Sequence, residues 1–497
     1  MRLDTLLADV RSAKLSGPEE PDIAAICYDS RKVGPDSLFV AVRGGVADGH
    51  DFVEQALERG AAAVLAEQAA PLGHRGTWIQ VPDSRLALSR VAAAFHAHPS
   101  RGMKVAGVTG TNGKTTTGFL LHHLLKSAWH RSGLIGTVHY DLGDEVVAAT
   151  HTTPESLELQ GVLAEMAGRA CRAAVMEVSS HALEQKRPAD VEFDVGIFTN
   201  LSRDHLDYHG TMEDYFDAKR ELFVQLAEQE VKSAPVAVIN TDDEYGRRLV
   251  KEFDSRLEII TYGCGVHADF RAVDIRFDFK GTQFQLDAKG RSMLVRLPLI
   301  GRFNVYNAVA ALAAGSAMGI NLRESVRSIG NCPQVPGRLE SVADQQAFKV
   351  FVDYAHTPDA LENAINTVRE LQPRRLITVF GCGGNRDVPK REQMGRVADQ
   401  LGDFSIITSD NPRKEEPMAI IDDVAKGFSS GARFQVEEDR RAAIKAALGM
   451  AQGGDIVLIA GKGHEATQTF AEETVEFDDR IVARQCLVDL AREGGRR

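Results

Sequence analysis

Residues 110–116 combine the residue types that bind nucleotide phosphates. An apolar run at 105–109 predicts a buried strand before them, and leucines at helical spacing predict an amphipathic helix after them. In such a strand–loop–helix arrangement, glycines turn backbone N–H groups toward an anion, and the helix N-terminus adds partial positive charge. Lys114 can then reach the terminal phosphates, and the Thr115 hydroxyl can bind magnesium. The segment consists of Gly110, Thr111, Asn112, Gly113, Lys114, Thr115 and Thr116.

One position departs from the usual phosphate-loop pattern. A further glycine normally precedes Gly113, at the position where this chain has Val108. A glycine turn that only starts a helix is the structural alternative, but the ordered strand, loop and helix favour nucleotide binding. The Asn-Lys-x-Asp signature of guanine recognition is absent, so ATP is the predicted nucleotide.

Polar side chains follow the next predicted strands. Glu177 ends an apolar run, and a carboxylate at the carboxyl end of a parallel strand faces the crevice where ligands bind. It is a candidate magnesium ligand. Considered alone, capping of the next helix by Glu177 and Ser179 is an equal alternative, but the neighbouring phosphate loop favours the metal role. The loop 199–210 contains two His, one of them His205, and two Asp, which are not expected in a core. A solvated polar loop is the alternative to a functional one. Lys219, on a predicted helix, is expected to be an exposed lysine when it is considered alone.

The composition is that of a globular protein with several domains. A chain of 497 residues is too long for one core, and two to four domains are expected. Lys and Arg total 58 against 70 Asp and Glu, for a net charge of −12, which argues against a nucleic-acid binder with its basic face. An anionic small substrate is compatible with this charge, because local basic residues can serve one pocket.

The sequence contains no pattern typical of a signal peptide, a membrane span, a zinc site or a disulfide framework. The N-terminus has no long apolar region after a basic start, and no apolar run is long enough to span a bilayer. A cytoplasmic protein without membrane contact is therefore expected. The six cysteines have no paired spacing, which suggests neither a zinc site nor a disulfide framework.

Alternation of short apolar runs with amphipathic segments predicts an α/β fold of three domains. Residues 1–100 form a small N-terminal α/β domain, 101–335 a central P-loop ATPase-like domain with a mostly parallel sheet, and 336–497 a C-terminal Rossmann-like domain. Linkers are predicted at 98–102 and 333–337. Strands are predicted at 23–28, 38–42, 61–65, 105–109, 173–178, 195–199, 236–240, 349–352, 376–380, 404–408 and 456–459, with an antiparallel meander over 268–297.

The ordered motifs of this chain resemble those of the Mur ligases, which build the peptide stem of bacterial peptidoglycan. Besides the shortened phosphate loop, the similarity includes Glu-Val-Ser-Ser-His at 177–181, the segment 200–210 and Asp-Ala-Lys at 217–219. It covers essentially the whole chain in order. The later motifs lie at 301–307, 336–338, 353–358 and 461–465.

The resemblance implies an ATP-dependent amide ligase, with ATP as co-substrate and Mg²⁺ as cofactor. Residues 110–116 then bind the ATP phosphates. Carbamylation of a lysine, which turns an ammonium into a carboxylate-like oxygen ligand, explains a lysine near a cation. The implied nucleotide contacts beyond the loop are Asn304, Arg338 and Asp353. The implied metal ligands are Thr115 and Glu177 for one magnesium ion, with His205 and carbamylated Lys219 supporting a second. The implied catalytic residues are Lys114, Lys219 and His205.

The resemblance also implies small-molecule substrates and a monomeric enzyme. The Mur ligases most similar to this chain add the third residue of the stem, so the expected acceptor is UDP-MurNAc-L-Ala-D-Glu and the expected amine is meso-diaminopimelate. The implied contacts to the sugar and peptide are Thr152, Thr153, Ser179, Gln185 and Arg187. The implied uridine contacts are Ser30, Gly45, Val46 and Ala47, which lie in ordinary turn sequences.

The tetrad Asp410, Asn411, Pro412 and Arg413 follows a predicted strand and, considered alone, is a turn. In the Mur ligases this tetrad is associated with meso-diaminopimelate, whereas lysine-adding relatives carry different residues. Diaminopimelate is lysine with a second carboxylate, and an arginine fork pairs with a carboxylate through two hydrogen bonds. The other implied contacts to this substrate are Arg386 as a second cation, Glu465 as acceptor of the distal ammonium, and Gly461 for close backbone approach.

Two other classes of protein would use the same phosphate loop. A folylpolyglutamate synthetase shares the loop and the ligation chemistry, but it does not need an N-terminal uridine domain or the tetrad at 410–413. A nucleotide switch or motor does not predict a third α/β domain with a cation-lined amino-acid pocket. The Mur ligase interpretation is therefore favoured.

Overall fold

The computed structural model describes residues 1–17, 21–45, 47–74, 76–343 and 346–494. The chain folds into two compact units. None of the helices within the described ranges is both long and apolar enough to cross a membrane. The first unit consists of Met1–Val273, Leu286–Met293 and Tyr306–Ile329, and the second of Asp274–Gln285, Leu294–Val305 and Gly330–Arg497.

A five-stranded sheet forms the N-terminal part of the first unit. Its strands are β1 (Lys14–Ser16), β2 (Ala25–Cys27), β3 (Ser37–Val40), β4 (Ala61–Ala66) and β5 (Thr77–Gln80). The helices are α1 (Leu3–Leu6), α2 (Val53–Glu58) and α3 (Ser84–Phe95), with 3-10 turns at Ser30–Lys32, Gly49–Phe52 and Pro99–Gly102. The order is β1-β5-β4-β3-β2, and β2 to β5 are parallel to one another. Leu38 and Phe39 are buried in different apolar clusters, as alternation along a strand requires.

A larger sheet forms the central part of the chain. Its strands are β6 (Lys104–Thr109), β7 (Ser132–Ile135), β8 (His139–Asp141), β9 (Val146–Ala148), β10 (Ala173–Glu177), β11 (Val195–Phe198), β12 (Val236–Asn240), β13 (Glu258–Gly263), β14 (Phe270–Asp278), β15 (Gly281–Ala288) and β16 (Arg291–Leu297). The helices are α4 (Lys114–Trp129), α5 (Ser156–Gly168), α6 (Ser180–Glu184), α7 (Leu206–His209), α8 (Met212–Glu228), α9 (Glu244–Phe253), α10 (Arg302–Ala317) and α11 (Leu322–Ile329). The strand order is β16-β15-β14-β13-β12-β11-β6-β10-β7-β8-β9. Strands β7, β10, β6, β11, β12 and β13 run parallel, which confirms the prediction of a mostly parallel sheet.

The register of the central strands brings their carboxyl ends together. Glu177 of β10 pairs with Val108 of β6, and Phe198 of β11 pairs with Thr109 of β6. Strand β6 lies between the other two. Its Gly107 leaves room for Phe193, whose ring carbon Cε1 lies 2.8 Å from the position a Cβ would take. The loops that follow β6, β10 and β11 therefore start side by side, at the edge where ligands bind in parallel sheets.

The predicted linker at 98–102 is ordered by several hydrogen bonds. The Ser100 hydroxyl donates to Glu192 at 2.8 Å, and the Glu192 N–H donates back to Ser100 at 3.1 Å. The ammonium of Lys232 donates to the Ser100 carbonyl at 2.9 Å. Outside the linker, the Tyr28 hydroxyl of the N-terminal part donates to Glu158 of the central part at 2.7 Å. These bonds hold the N-terminal sheet against the central part of the same unit.

The second unit contains a six-stranded sheet in the order β17-β18-β22-β19-β20-β21, together with a separate hairpin of β23 and β24. Its strands are β17 (Glu340–Ala343), β18 (Lys349–Asp353), β19 (Leu376–Phe380), β20 (Phe404–Ile407), β21 (Phe434–Val436), β22 (Ile456–Ala460), β23 (Thr467–Thr469) and β24 (Thr474–Glu476). The helices are α12 (Pro358–Glu370), α13 (Pro389–Leu401), α14 (Pro417–Ala425), α15 (Arg440–Met450) and α16 (Asp479–Gly494). Strands β18 to β22 are parallel to one another, β17 pairs antiparallel with β18, and apolar clusters cover both faces of the sheet.

A buried ion pair lies at the carboxyl ends of the strands of this second sheet. The Arg440 guanidinium donates to both carboxylate oxygens of Asp479 at 2.7 Å, and neither side chain is exposed. The same guanidinium donates to the carbonyls of Ala460, at the end of β22, and Ser409, after β20. Removing one partner of such a pair typically costs about 3–5 kcal/mol, because the other charge stays buried. Arg440 thus holds together two loops that carry predicted site residues.

Candidate active site

The phosphate loop has the backbone geometry that its glycines predict. Gly110 has a φ of +142° and Gly113 a φ of +89°, and Gly113 is the N-cap of α4. A Cβ at Gly110 would overlap the Thr199 hydroxyl. The Lys114 ammonium donates to the carbonyls of Gly110 and Thr111, each at 2.9 Å. The lysine and the helix N-terminus therefore lie on the same loop, where both attract an anion.

The loop after β11 supports the phosphate loop through polar contacts. The Thr111 N–H donates to the Asn200 carbonyl at 2.8 Å, and the Asn112 N–H donates to Asn200 Oδ1 at 3.0 Å. The Thr199 hydroxyl donates to the Asn112 carbonyl at 2.6 Å. Thr199 and Asn200 lie within the sequence motif at 199–210 but had no predicted role. The signal that identifies them is their place directly after a buried strand that neighbours β6.

Glu177 is a buried carboxylate that accepts hydrogen bonds from two separate segments of the chain. Its side chain accepts from the Thr115 hydroxyl at 3.0 Å, from the Thr137 N–H at 2.9 Å and from the Thr137 hydroxyl at 3.2 Å. A Cβ at Gly136 would overlap its carboxylate. The structure thus brings Thr115 and Glu177 together, as the predicted magnesium site requires. Sequence reasoning missed Thr137, which follows β7.

The donor set at Thr115 and Glu177 fits Mg²⁺. Magnesium in phosphate sites takes one or two carboxylates, together with substrate phosphates and water, rather than an all-protein cage. One carboxylate and one hydroxyl within 3.0 Å of each other satisfy that preference. Among the described residues, no cluster of three or more His, Cys, Asp or Glu side chains could hold a metal by itself.

Lys219 is buried, so its expectation as an exposed lysine is wrong. Only 1% of the residue is exposed, because α8 packs this face against the phosphate loop. Its ammonium donates to the Gly110 carbonyl at 2.9 Å and lies 4.4 Å from the centre of the Tyr215 ring. Burial, aided by the charge of Lys114, holds the pKa of Lys219 well below its usual range. Burial thus shifts the balance from the ammonium toward the neutral amine, which is the nucleophilic form.

His205 is the N-cap of α7 and has a left-handed conformation with a φ of 53°. Its ring is 48% exposed, and Nε2 lies 3.5 Å from the Asp204 carboxylate. Desolvation lowers the pKa of His205. The His181 ring packs edge-on at 5.0 Å between centroids, and desolvation together with His205 lowers the pKa of His181 to about 4. His181 belongs to a recognised motif, yet its contact with His205 has no sequence signal.

His209 corrects the expectation that the histidines of the loop 199–210 lie outside the core. It is buried, with Nε2 at 2.9 Å from the Ser180 hydroxyl and Nδ1 at 3.2 Å from Glu184. Its ring packs against Tyr215 at 5.0 Å between centroids. Two polar partners satisfy the imidazole, which makes its burial tolerable.

The predicted sugar and peptide contacts form one hydrogen-bonded group beside Glu177. The Thr153 hydroxyl donates to the Glu177 carbonyl at 2.8 Å and accepts from the Ser179 N–H at 3.1 Å. Arg187 donates to the Thr153 carbonyl at 3.0 Å and to Gln185 at 2.7 Å. Thr152 joins the group through the Thr137 hydroxyl, at 3.0 Å. All five predicted residues are thus brought together near the phosphate loop.

The predicted uridine contacts lie at the carboxyl edge of the N-terminal sheet. Ser30 follows β2, is buried, and donates to Gln55 at 2.6 Å. Gly45 and Ala47 follow β3 in an exposed loop, where the Gly44 N–H donates to the Ala47 carbonyl at 2.9 Å. Val46 lies outside the described residues. Because β2 and β3 are parallel neighbours, both loops leave the sheet at the same edge.

The predicted nucleotide contacts of the second unit lie near the start of its sheet. Asn304 is buried and donates to the Ile300 carbonyl at 2.9 Å. Arg338 stacks on the Tyr354 ring at 5.2 Å. Asp353 ends β18 and accepts from the Leu339 N–H at 2.7 Å. Burial raises the pKa of Asp353, and Arg338 lowers it part of the way.

The predicted amino-acid contacts lie on three loops that follow the parallel strands β19, β20 and β22. Arg386 is exposed in the first loop. Arg413, in the second, has a φ of 56° and donates to the Gly384 carbonyl at 2.7 Å. Gly461, in the third, has a φ of 116°, and a Cβ there would lie 2.6 Å from Asp410 Oδ2. The loops share one edge of the sheet, so the structure gathers all these residues.

Lys462 is a buried cation that sequence reasoning left without a role. Its ammonium donates to Asn411 Oδ1 and to Glu465 Oε2, both at 3.1 Å. The Asn411 side-chain amide also donates to Glu465 Oε2, at 2.9 Å. One oxygen of Glu465 is therefore used within the protein, while Oε1 has the Tyr354 hydroxyl at 3.5 Å. The Gly-Lys-Gly-His-Glu motif contained this lysine, and its burial is what distinguishes it.

Three family models match consecutive parts of the chain. The Mur ligase family catalytic domain matches residues 22–96, the Mur ligase middle domain matches 108–315, and the Mur ligase glutamate ligase domain matches 337–463. The three-domain α/β fold that the sequence predicts is the fold of the Mur ligases.

Relatives with this domain arrangement match nearly the full chain. UDP-N-acetylmuramoyl-L-alanyl-D-glutamate--2,6-diaminopimelate ligases from Solibacter usitatus and Geobacillus thermodenitrificans are 44% and 45% identical, and the alignments cover 98% of this chain and 98% and 99% of those proteins. A solved structure of a ligase with the same name has a TM-score of 0.69 and 35% identity, over 94% of this chain and 95% of that one.

The geometry of Gly110 leads to a testable prediction. We expect Gly110→Ala to weaken ATP binding about 100-fold or more, because its methyl group would overlap the Thr199 hydroxyl at a φ that L residues rarely adopt. Isothermal titration with ATP measures this loss. Gly168→Ala is the control, since a Cβ there meets nothing within 4 Å. Equal ATP affinities for the two variants would show that the loop does not bind phosphate.

Proposed function

This chain belongs to the Mur ligase family, and from this premise we propose that it joins meso-diaminopimelate to UDP-MurNAc-L-Ala-D-Glu with hydrolysis of ATP. The observation that carries the proposal is 44–45% identity, over 98% of the chain, to relatives named for that reaction. The products are UDP-MurNAc-tripeptide, ADP and phosphate. The proposal takes the enzyme as a monomer in the bacterial cytoplasm.

The division of labour follows the three domains of the sequence analysis. Residues 1–100 would bind the uridine part of the acceptor, 101–335 the ATP, and 336–497 the amino acid. The family-model matches at 22–96, 108–315 and 337–463 fall within these limits and support the division. Asn304, Arg338 and Asp353 keep their proposed role as nucleotide contacts.

The reaction would proceed through an acyl phosphate. An oxygen of the D-glutamyl γ-carboxylate attacks the γ-phosphorus of ATP, and the bond to ADP breaks. The amine nitrogen of diaminopimelate then attacks the activated carbonyl carbon, loses a proton, and the tetrahedral intermediate expels phosphate. No Ser or Cys nucleophile is required. The contribution of the protein is to position the reactants and to stabilise negative charge.

The phosphate loop supplies much of that charge stabilisation. Lys114 starts α4 on the same loop as the glycine N–H groups, so its ammonium can move from the Gly110 and Thr111 carbonyls to a bound phosphate. Thr115 and Glu177 are the residues proposed to hold Mg²⁺. Bound Mg²⁺ would neutralise phosphate charge and orient the transferred group.

Lys219 is proposed to carry a carbamate. A neutral amine nitrogen can bond to the carbon of CO₂ with loss of one proton, and burial of Lys219 favours that neutral form. The product is a carboxylate-like group beside the phosphate loop, and its negative charge is opposite in sign to that of Lys114. With His205, whose lowered pKa keeps it a neutral ligand, this group would support a second magnesium ion.

The group of residues beside Glu177 is proposed to hold the peptide part of the acceptor. Arg187 is tied to Gln185 at 2.7 Å and to Glu155 at 2.9 Å, so its guanidinium has a fixed position. Thr153 links this guanidinium to the chain at Glu177. A carboxylate bound at this group would lie close to the phosphate loop, which the transfer step requires.

The loops after β19, β20 and β22 are proposed to select diaminopimelate. Arg413 and Arg386 would pair with the distal carboxylate that lysine lacks. Glu465 would accept a hydrogen bond from the distal ammonium of diaminopimelate. Lysine would leave the partly buried Arg413 without this carboxylate, and sites built around a buried polar group reject an analogue that lacks its partner by a factor of about ten thousand or more. Asp410, Asn411 and Pro412 shape the turn that carries Arg413, and Gly461 leaves room beside Asp410.

Substitution of Arg413 tests the proposed selectivity. We expect wild-type enzyme to release phosphate with diaminopimelate and hardly at all with lysine. Arg413→Ala should lower kcat/KM for diaminopimelate about 100-fold or more, while KM for ATP changes by less than about twofold. Lys414→Ala, at the exposed neighbouring position, is the control and should match wild type. Equal kinetic constants for both amines, in wild type and in Arg413→Ala, would overturn the assignment.

Substitution of Lys219 tests the carbamate. Lys219→Met keeps an unbranched side chain that is one atom shorter and cannot bond CO₂, so kcat should fall about 1,000-fold or more. Labelled bicarbonate should give a carbamate ¹³C NMR signal in wild type and none in the variant.

The pH dependence of stability gives the control for this variant. Because the folded-state pKa of Lys219 is lowered, the unfolded chain binds more protons, and the stability of wild type rises with pH between the two pKa values. Lys219→Met should remove that rise while it leaves the protein folded at neutral pH. A folded Lys219→Met enzyme with wild-type kcat would exclude the carbamate.

A further inference from the structure

The two loops that carry Arg386 and Arg413 are joined by one carboxylate. The Arg386 loop comprises residues 381–388 and the Arg413 loop residues 408–416. Glu415 accepts a short hydrogen bond from the N–H of Asn385, one residue before Arg386. In return, the N–H of Lys414 donates to Asn385 Oδ1 at 3.0 Å. The position of each arginine along its loop is therefore set relative to the other.

Glu415 is held in turn by a buried guanidinium. Arg391 Nη2 donates to the two oxygens of Glu415 at 2.9 and 2.8 Å, and Nη1 donates to Asp423 at 3.1 Å. The Arg391 side chain is 2% exposed, against 29% for Glu415. Arg391 lies on α13 and Asp423 on α14, and both helices contribute side chains to one apolar cluster. The joined loops are thus anchored to the core.

The backbone of both loops needs such an anchor. Asn385 has a φ of 52° and Arg413 a φ of 56°, in the left-handed region that costs energy for residues other than glycine. Asn tolerates this region, whereas a long side chain such as Arg does so only when its surroundings impose it. The Gly384 N–H donates to the Asn411 carbonyl at 2.9 Å, which fastens the loops at a second point. The Arg413 N–H also donates to the Thr469 carbonyl at 3.0 Å, so release of Glu415 would remove part of the support of this strained conformation.

We propose that Glu415 and Arg391 form a positioning pair that fixes the spacing of Arg386 and Arg413, and thereby determines the preference for a diamino dicarboxylic acid over lysine. This inference rests on the proposed function, since it concerns the same amino-acid site. Neither member of the pair is proposed to touch the substrate. The pair acts through the arginines whose loops it joins.

The chemistry of the pair explains why an arginine is needed at 391. A guanidinium presents several N–H groups in a rigid fork, so it can bind both oxygens of Glu415 and Asp423 together. Its remaining Nε is buried without a hydrogen-bond partner in the described structure, which is unfavourable. A lysine keeps the charge but cannot hold two carboxylates in fixed directions. The substitution Arg391→Lys therefore separates charge from geometry.

Steady-state kinetics of the full-length enzyme test the positioning role. We expect Glu415→Ala to raise KM for diaminopimelate about 10- to 100-fold, with KM for ATP and for the acceptor within about twofold of wild type. The ratio of kcat/KM for diaminopimelate to that for lysine should fall by a similar factor. Arg391→Lys and Glu415→Gln should change the same two quantities in the same direction by smaller factors.

A variant on the same helix provides the control. Arg396 lies on α13 and, among the described residues, forms an ion pair with Glu392 alone; both are about half exposed, so Arg396→Ala should match wild type in every constant. Should Glu415→Ala fail to fold, Arg391→Lys and Glu415→Gln decide the question. Folded variants that lose thermal stability but keep the wild-type KM and amine preference would overturn the inference. Wild-type enzyme that releases no phosphate with diaminopimelate would instead overturn the proposed function, and the positioning role with it.

Discussion

The hydrogen bonds of Glu177 join the loops on which the central site depends. Its buried carboxylate accepts from Thr115 at the start of α4 and from Thr137 after β7, although these residues are distant in the chain. Both contacts require the parallel register that ends β10 beside Val108 of β6. A shift of one residue would turn Glu177 to the other face of the sheet and separate it from Thr115. The phosphate loop, the residues proposed to bind the acceptor and the residues proposed to bind magnesium are thus arranged by one register.

The strands of both units could be predicted from the sequence where they are buried on both faces. The strands at Val236–Asn240 and Leu376–Phe380 have the bounds that their apolar runs predict, because a covered parallel strand must be apolar along its whole length. Short strands such as β8 (His139–Asp141) and β23 (Thr467–Thr469) have three residues each and no such run. Their positions follow from pairing with distant strands, which local sequence does not specify.

The sequence predicts where the motif residues lie, whereas their burial and their pairing with other side chains have no sequence signal. Motif residues such as Arg413 lie on loops at strand ends, where the order of the elements predicts ligand contacts. Lys219 was expected to be exposed, yet helix packing buries it against the phosphate loop. The pair of Glu415 and Arg391 has no sequence signal, because its members face each other only after α13 and the Arg413 loop have packed. His209 is buried for the same kind of reason.

Positional isotope exchange within ATP tests most directly the claim that this protein activates a carboxylate for amide formation. ATP labelled with ¹⁸O in the bridge between the β- and γ-phosphorus atoms is incubated with the enzyme and UDP-MurNAc-L-Ala-D-Glu, without any amine. Reversible transfer to the carboxylate should scramble the label into the non-bridging β-positions, and omission of the acceptor should abolish that scrambling. Scrambling that is independent of the acceptor, or that is absent until diaminopimelate is added, would contradict an acyl phosphate formed before the amine reacts.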